Sequence, residues 1–71
     1  MAEIPNAPVK RLLIEGSHGC RVSAGALNLA AAHLSNIAHL LGHSAGRHAV
    51  ADGRKTIKDE DINKAWSELT T

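Results

Sequence analysis

The chain has 71 residues, among them eight lysines and arginines and seven aspartates and glutamates, which leave a formal net charge of +1. A single cysteine rules out an intramolecular disulfide, and one tryptophan without Phe or Tyr argues against stacking of single-stranded nucleic acid on aromatic side chains. No apolar run approaches the ~20 residues that a membrane helix needs, and chains this short usually need a metal, a disulfide or a second subunit for stability. We therefore expect one soluble, cytoplasmic domain over residues 1–71 that is stabilised by oligomerisation.

The first predicted element is a short helix that begins near Asn6 and ends near Gly16. Asn6 is the predicted N-cap, and Pro8 falls in the first turn, where its missing N–H costs nothing. A narrow apolar stripe at helical spacing is formed by Val9, Leu12 and Leu13. The run Gly-Ser-His-Gly that starts at Gly16 does not readily continue a helix, so a loop is predicted there.

The second predicted element is one long helix over residues 24–51, with Ser23 as its N-cap. No proline interrupts this segment, and its Ala and Leu residues recur with helical period. Such a helix is about 40 Å long, more than two short flanking helices of the same chain can cover. Gly42 and Gly46 are best tolerated where another helix crosses closely. We therefore predict that a second subunit packs against this helix.

The third predicted element is a short helix that follows a turn and an extended piece. Gly53 is the predicted residue after the end of the long helix, and residues 54–57 read as extended but too brief for a strand. Carboxylates at Asp59, Glu60 and Asp61 favour the beginning of the next helix. Its predicted apolar face consists of Ile62, Ala65, Trp66 and Leu69. We expect Trp66 to pack in the core or in an interface.

The order short helix, loop, long helix, loop, short helix, together with the loop residues, resembles the histone fold of single-domain archaeal and some bacterial histones. The matching segments are residues 4–13, Arg21-Val22-Ser23, the run Gly-Arg-Lys-Thr-Ile-Lys over residues 53–58, and Glu60-Asp61-Ile62. The spacing between the two loop motifs is specific, because few other folds place both loops in this way. The fold class that this resemblance implies is all-α, assembled as a handshake homodimer whose long helices cross.

The resemblance also implies a function, which is the binding, bending and compaction of double-stranded DNA without sequence specificity, as a histone-like nucleoid protein. The positions that match the DNA contacts of the family are Lys10, Arg11, Arg21, Lys55, Thr56 and Lys58. Arg21 would insert into the minor groove, and the others would hold phosphates. Arg54 and Asp61 match a structural pair of the family and are predicted to form a clamp.

Departures from the family pattern weaken two expected properties, the contacts to DNA phosphates and the stacking of dimers. Ile14 stands where relatives often have a lysine, which removes one phosphate contact. His48, Ala51 and Lys64 stand where relatives stack dimer upon dimer through leucines and a histidine. We therefore expect a homodimer with at most a weak tetramer.

Three alternatives compete with the DNA-binding interpretation. His39 and His43 have the i, i+4 spacing of two zinc ligands, but their segment supplies no third ligand, so we expect no metal and no cofactor. Nothing resembles a nucleophile motif, so we expect neither an enzyme nor a small-molecule substrate. The near-neutral charge favours the third alternative, a histone-fold protein–protein interaction module with little DNA affinity.

Overall fold

Three α-helices make up the computed structural model, which describes residues 4–71. They are α1 (Asn6–Gly16), α2 (Ala24–Ala51) and α3 (Asp59–Thr70). The predicted all-α class and the short, long, short order are confirmed, and the described residues contain no strand. We call residues 17–23, between α1 and α2, loop 1, and residues 52–58, between α2 and α3, loop 2. No helix of the described part has the length and apolarity to cross a membrane.

The N-cap predicted for α1 is wrong. Pro5 precedes the first helical residue, and no side chain caps this end. Because Asn6 already lies inside the helix, its side chain is not placed to accept from the first free N–H groups. Its Nδ2 instead donates a 3.4 Å hydrogen bond to Oδ1 of Asn28. The asparagine therefore links α1 to α2.

The N-terminus of α2 is capped by Ser23, as predicted. Its Oγ accepts a 3.1 Å hydrogen bond from the backbone N–H of Ala26. This bond satisfies one of the N–H groups that have no partner inside the helix. The cap explains why the helix begins at Ala24 directly after loop 1.

The C-termini of α1 and α2 share one hydrogen-bonding motif, in which a residue with positive φ reverses the chain. At the end of α2 this residue is Gly53, with φ of 75°, and the N–H of Arg54 donates to the carbonyl of Ala49 at 2.9 Å. At the end of α1 the same position holds His18, with φ of 59°, and Gly19 donates to the carbonyl of Ile14 at 2.9 Å. Gly53 therefore has the predicted role, whereas His18 adopts a conformation that costs a residue with a Cβ roughly 1–2 kcal/mol.

Residue contacts divide the chain into two compact units, Met1–Asn36 (described from Ile4) and Ile37–Thr71, with the boundary inside α2. The buried residues of the first unit are Val9, Ala31 and Ser35, and those of the second are Ala45, Ala49, Asp61 and Ala65. Four of the five buried apolar side chains among the described residues are alanines, which bury little surface each. Each unit taken alone therefore has a thin apolar core.

Many of the larger apolar side chains remain exposed in the single chain. They include Leu12, Leu29, Leu34, Ile37, Leu40, Val50, Ile62 and Leu69. Trp66 is 52% exposed, so the prediction that it packs in the core is wrong for the single chain, and its packing in an interface stays a prediction. At Gly42 and Gly46 an added Cβ would meet no described atom within 4 Å. Any helix that crosses closely at these glycines is therefore not part of the described chain.

Candidate nucleic-acid interface

Loop 1 is organised around Ser17, which turns the chain just before Arg21. The Ser17 hydroxyl donates to the carbonyl of Ile14 at 3.2 Å and accepts from the N–H of Cys20 at 3.3 Å. The Cys20 thiol in turn donates to the Ser17 carbonyl at 3.6 Å. These bonds hold the loop backbone up to Cys20 and leave the next residue, Arg21, exposed.

Three of the predicted DNA-contacting cations lie in the first unit. Lys10 and Arg21 line one surface depression of about 360 Å³, with Ile14 and Val22 as its apolar part. Lys10 and Arg11 line another, of about 300 Å³, along α1. Lys10 takes part in both depressions. The first unit therefore brings the α1 cations and the loop 1 arginine to adjoining surfaces.

Arg54 in loop 2 is held by several acceptors of its own chain. Its Nη1 and Nη2 donate to the two carboxylate oxygens of Asp61, at 2.9 and 3.1 Å. Nη1 also donates to the carbonyl of Thr56 at 2.9 Å, and Nη2 donates to Asp52 at 3.0 Å and to Glu60 at 3.4 Å. Arg54 and Asp61, predicted as a clamp, are thus in bidentate contact. The guanidinium ties the middle of loop 2 to the beginning of α3.

The electrostatics of this pair keep both partners charged. Asp61 has a fully buried side chain, and its carboxylate also accepts from the N–H of Lys58 at 2.8 Å. The bonds from Arg54 and then from Lys58 lower the pKa of Asp61 from 3.8 to about 2. The bonds to Asp61 and Asp52 raise the pKa of Arg54 above its usual value. A buried carboxylate stays ionised here because three donors replace its water.

The other predicted cations differ from Arg54 in having no acidic partner in the part of the chain that the structure describes. Within residues 4–71 no ion pair involves any of Lys10, Arg11, Arg21, Lys55 or Lys58. All five are exposed, and so is Thr56 between the two loop 2 lysines. Lys55, Thr56 and Lys58 lie in the second unit. The arrangement leaves these cations available to anions, while the neighbouring Arg54 is engaged.

The carboxylates around Arg54 also form the one group in the described chain that has the composition of a metal site. Asp52, Glu60 and Asp61 have oxygens within 4.8 Å of one another. However, Arg54 donates to each of these three side chains. The guanidinium therefore supplies the positive charge that an ion would bring.

The sequence does not predict one contact that joins α2 to α3. Glu68 of α3 accepts a hydrogen bond from the hydroxyl of Ser44, and its second oxygen lies 3.1 Å from Nε2 of His48. The bond from Ser44, aided by His48, lowers the pKa of Glu68 below its usual value. The sequence gives only a weak indication of this contact. Ser44 and His48 are four residues apart on one helical face, but only the packing of α3 shows which acidic residue they contact.

The arrangement of the three helices agrees with two comparisons with known proteins. Residues 2–66 match the family model described as histone-like transcription factor (CBF/NF-Y) and archaeal histone. The chain is 42% identical over 65 residues to a HAN1 archaeal histone of Thermococcus zilligii, an alignment that covers 92% of this chain and 96% of that protein. The resemblance to archaeal histones is confirmed. The chain therefore belongs to the family of histone-like CBF/NF-Y transcription factors and archaeal histones, which are structural, DNA-binding histone-fold proteins.

Proposed function

We propose that the chain, as one histone-fold domain over residues 1–71, forms a handshake homodimer that binds double-stranded DNA without sequence specificity. In this proposal, bound dimers bend and compact the DNA, and the protein is a histone-like, nucleoid-associated protein of the cytoplasm. The observation that carries this proposal is the contrast within loop 2. Arg54 is bound by carboxylates, whereas Lys55 beside it is exposed and has no acidic partner among the described residues.

The residues have different roles in the proposed complex. Lys10, Arg11, Lys55 and Lys58 neutralise phosphates and release counterions, and the Thr56 hydroxyl donates to a phosphate oxygen. Arg21 enters the minor groove, where it responds to groove width and potential rather than to base identity. None of these contacts reads a base edge in the major groove, which is why we propose binding without sequence preference.

Homodimerisation rests on the apolar surface that the single chain leaves exposed. Leu34 and Ile37 lie near the middle of α2, and Ile62 and Trp66 lie on α3, all with a large exposed fraction. Covering such side chains is the main favourable term in protein association. A second copy of the chain supplies the same apolar surface in return, as a two-fold interface requires.

Stacking of dimers into tetramers is proposed to be weak. His48 already contacts Glu68 of its own chain, Lys64 is exposed, and Ala51 carries no polar group that a partner could bind. Bringing His48 and Lys64 into an interface costs desolvation and places like charges together across a two-fold axis.

The salt dependence of binding tests the proposal. The affinity for mixed-sequence duplex DNA should fall linearly on a log–log plot against salt, and Lys55→Ala should reduce the slope by about 1 for each phosphate that is no longer neutralised. Arg21→Ala should weaken binding while leaving the melting temperature unchanged. Arg47→Ala, which removes an exposed cation of α2 outside the proposed interface, is the matched control and should retain the wild-type slope.

The alternative is a histone-fold module that binds another protein and has little affinity for DNA. The formal charge of +1 and the apolar Ile14 at the end of α1 favour it. The same titration separates the two functions. Absence of binding at low salt, or binding unchanged in both Lys55→Ala and Arg21→Ala, would contradict the DNA interface and leave the protein-binding module as the better explanation.

A further inference from the structure

His39 and His43 lie one turn apart on α2, and the proposed DNA interface does not use them. Both side chains are exposed, and neither has a hydrogen bond or an ion pair within the described residues. His48, further along the same helix, is by contrast engaged with Glu68. The two imidazoles are therefore free to bind a ligand from solution.

The helix holds the two imidazoles at a chelating distance. Residues four apart on an α-helix have their Cβ atoms roughly 5–6 Å apart and point in the same direction. Two imidazole nitrogens at that spacing can both reach one ion at the usual length of about 2.0–2.1 Å. α2 runs without a break from Ala24 to Ala51, so the spacing of His39 and His43 is held on both sides.

A second subunit that packs on Leu34 and Ile37, the exposed apolar stripe of α2 used in the proposed homodimer, leaves this face open. Leu34 and Ile37 lie about 120–180° around the helix from His39 and His43. The histidines thus lie on the side away from these two apolar residues. Dimerisation through that stripe does not cover them.

We propose that His39 and His43 chelate one divalent first-row transition ion per chain, such as Zn²⁺, Ni²⁺ or Cu²⁺. Neutral imidazole is a good ligand for these ions, whereas Mg²⁺ and Ca²⁺ prefer oxygen. The segment offers no third protein ligand, so water completes the coordination of the ion, which both exposed side chains permit. No acidic residue occurs between Glu15 and Asp52, and Arg47 is one turn beyond His43. No carboxylate of this segment therefore neutralises the ion, and we expect it to bind less tightly than in a four-ligand site.

Calorimetric titration with ZnCl₂ and thermal melting test this site. We expect one ion per chain and, because the ion binds the folded state, a melting temperature raised by at least about 3 °C at saturation. MgCl₂ should have no such effect. His39→Ala and His43→Ala should each weaken binding more than about tenfold and remove the shift.

His33→Ala is the matched control, since His33 is an exposed histidine of the same helix six residues before His39. It should retain both the binding and the shift, and circular dichroism of all three variants verifies that α2 is intact. A wild-type protein without heat of binding or shift would overturn the site. A shift kept in His39→Ala but lost in Cys20→Ser would also overturn it, because the thiol would then be the ligand.

Discussion

Arg54 and Lys55 are adjacent cations of loop 2, but their surroundings differ. The guanidinium of Arg54 is bonded to Asp61 through two parallel hydrogen bonds and also reaches Asp52 and Glu60. Lys55 is exposed, without an acidic partner in the described chain. The difference matters because a guanidinium matches both oxygens of a carboxylate, whereas an exposed ammonium is readily available to a phosphate.

Arg54→Ala should therefore lower the stability of the fold. Asp61 would be left buried as an ion without its main partner, a change that we expect to reduce the melting temperature by at least about 5 °C. Arg54→Lys should recover little, since an ammonium cannot form the bidentate contact. Lys55→Ala is the control and should melt within about 2 °C of wild type. If Arg54→Ala melted like the wild type, the clamp assignment of this pair would be wrong.

Acidification should destabilise the protein through the same residue. The pKa of Asp61 is lowered from 3.8 to about 2, so the unfolded chain takes up a proton before the folded one does. The stabilisation is complete above about pH 5 and decreases as the pH falls through 3.8 towards 2. The lowered pKa of Glu68 acts in the same direction. Urea unfolding between pH 6 and pH 2 measures this, and a stability that stays constant down to pH 3 would contradict it.

The ends of the helices are set by local features, namely side-chain caps and residues with positive φ. Ser23 accepts from the N–H of Ala26, and Gly53 takes the positive φ that ends α2. His18 occupies the corresponding position after α1. Both loops are therefore short turns with fixed bonds, and each presents its cation, Arg21 or Lys55, from a defined backbone.

Glycine inside α2 should reduce the stability of the helix. Gly42 is exposed, and a Cβ there would meet no described atom within 4 Å. Because the homodimer is proposed to form through Leu34 and Ile37 rather than at Gly42, Gly42→Ala should raise the free energy of unfolding by up to about 1 kcal/mol, since alanine loses less backbone entropy in a helix. Gly53→Ala, at a φ of 75°, is the control and should have the opposite effect. Chemical denaturation measures both, and a destabilised Gly42→Ala would show that a partner helix packs against this position.

At the scale of the whole molecule, the described residues of a single copy bury few large apolar side chains. Within residues 4–71 the buried apolar residues are Val9 and four alanines, while Leu34, Ile37 and Trp66 remain exposed. Chains of this length usually reach stability through a staple or a partner, and Cys20 is a free thiol. Oligomerisation is the remaining source of stability that the exposed apolar surface supports.

Coupling of folding to dimerisation should appear as a dependence of melting on concentration. The melting temperature should rise by about 3 °C or more for each tenfold increase in protein concentration, since association contributes to the free energy of folding. Thermal melting followed by circular dichroism over a hundredfold range of protein concentration measures this dependence. Ile37→Ala, on the exposed apolar stripe, should lower the melting temperature most at the lowest concentration. A cooperative transition that does not change with dilution would contradict an obligate dimer.

Assembly on DNA gives the last prediction. With His48 bound to Glu68 and with Lys64 in the place of an apolar contact, dimers should coat or bend DNA locally. Nuclease digestion of saturated complexes should therefore produce a short protected fragment without a regular ladder. Sedimentation of the free protein at micromolar concentration should show dimers. A ladder that grows by one dimer footprint, or tetramers without DNA, would show that stacking is strong.

The sequence by itself determined the three helices and most of their ends. Those signals are local, since the Ser23 cap and the Gly53 turn involve atoms three to five residues apart. The resemblance in both loops supplied the family and the pairing of Arg54 with Asp61. The roles of the exposed cations in DNA binding stay predictions.

Only the tertiary structure decided which side chains meet across the helices. Asn6 is a bridge to Asn28 rather than a cap, and Glu68 receives both Ser44 and His48 from α2. These partners are 20 or more residues apart, so their contact depends on how α1 and α3 pack on α2. Trp66 illustrates the same limit. Its spacing on α3 marks an apolar face, but whether such a face is buried depends on what packs against it, and in the single chain Trp66 remains about half exposed.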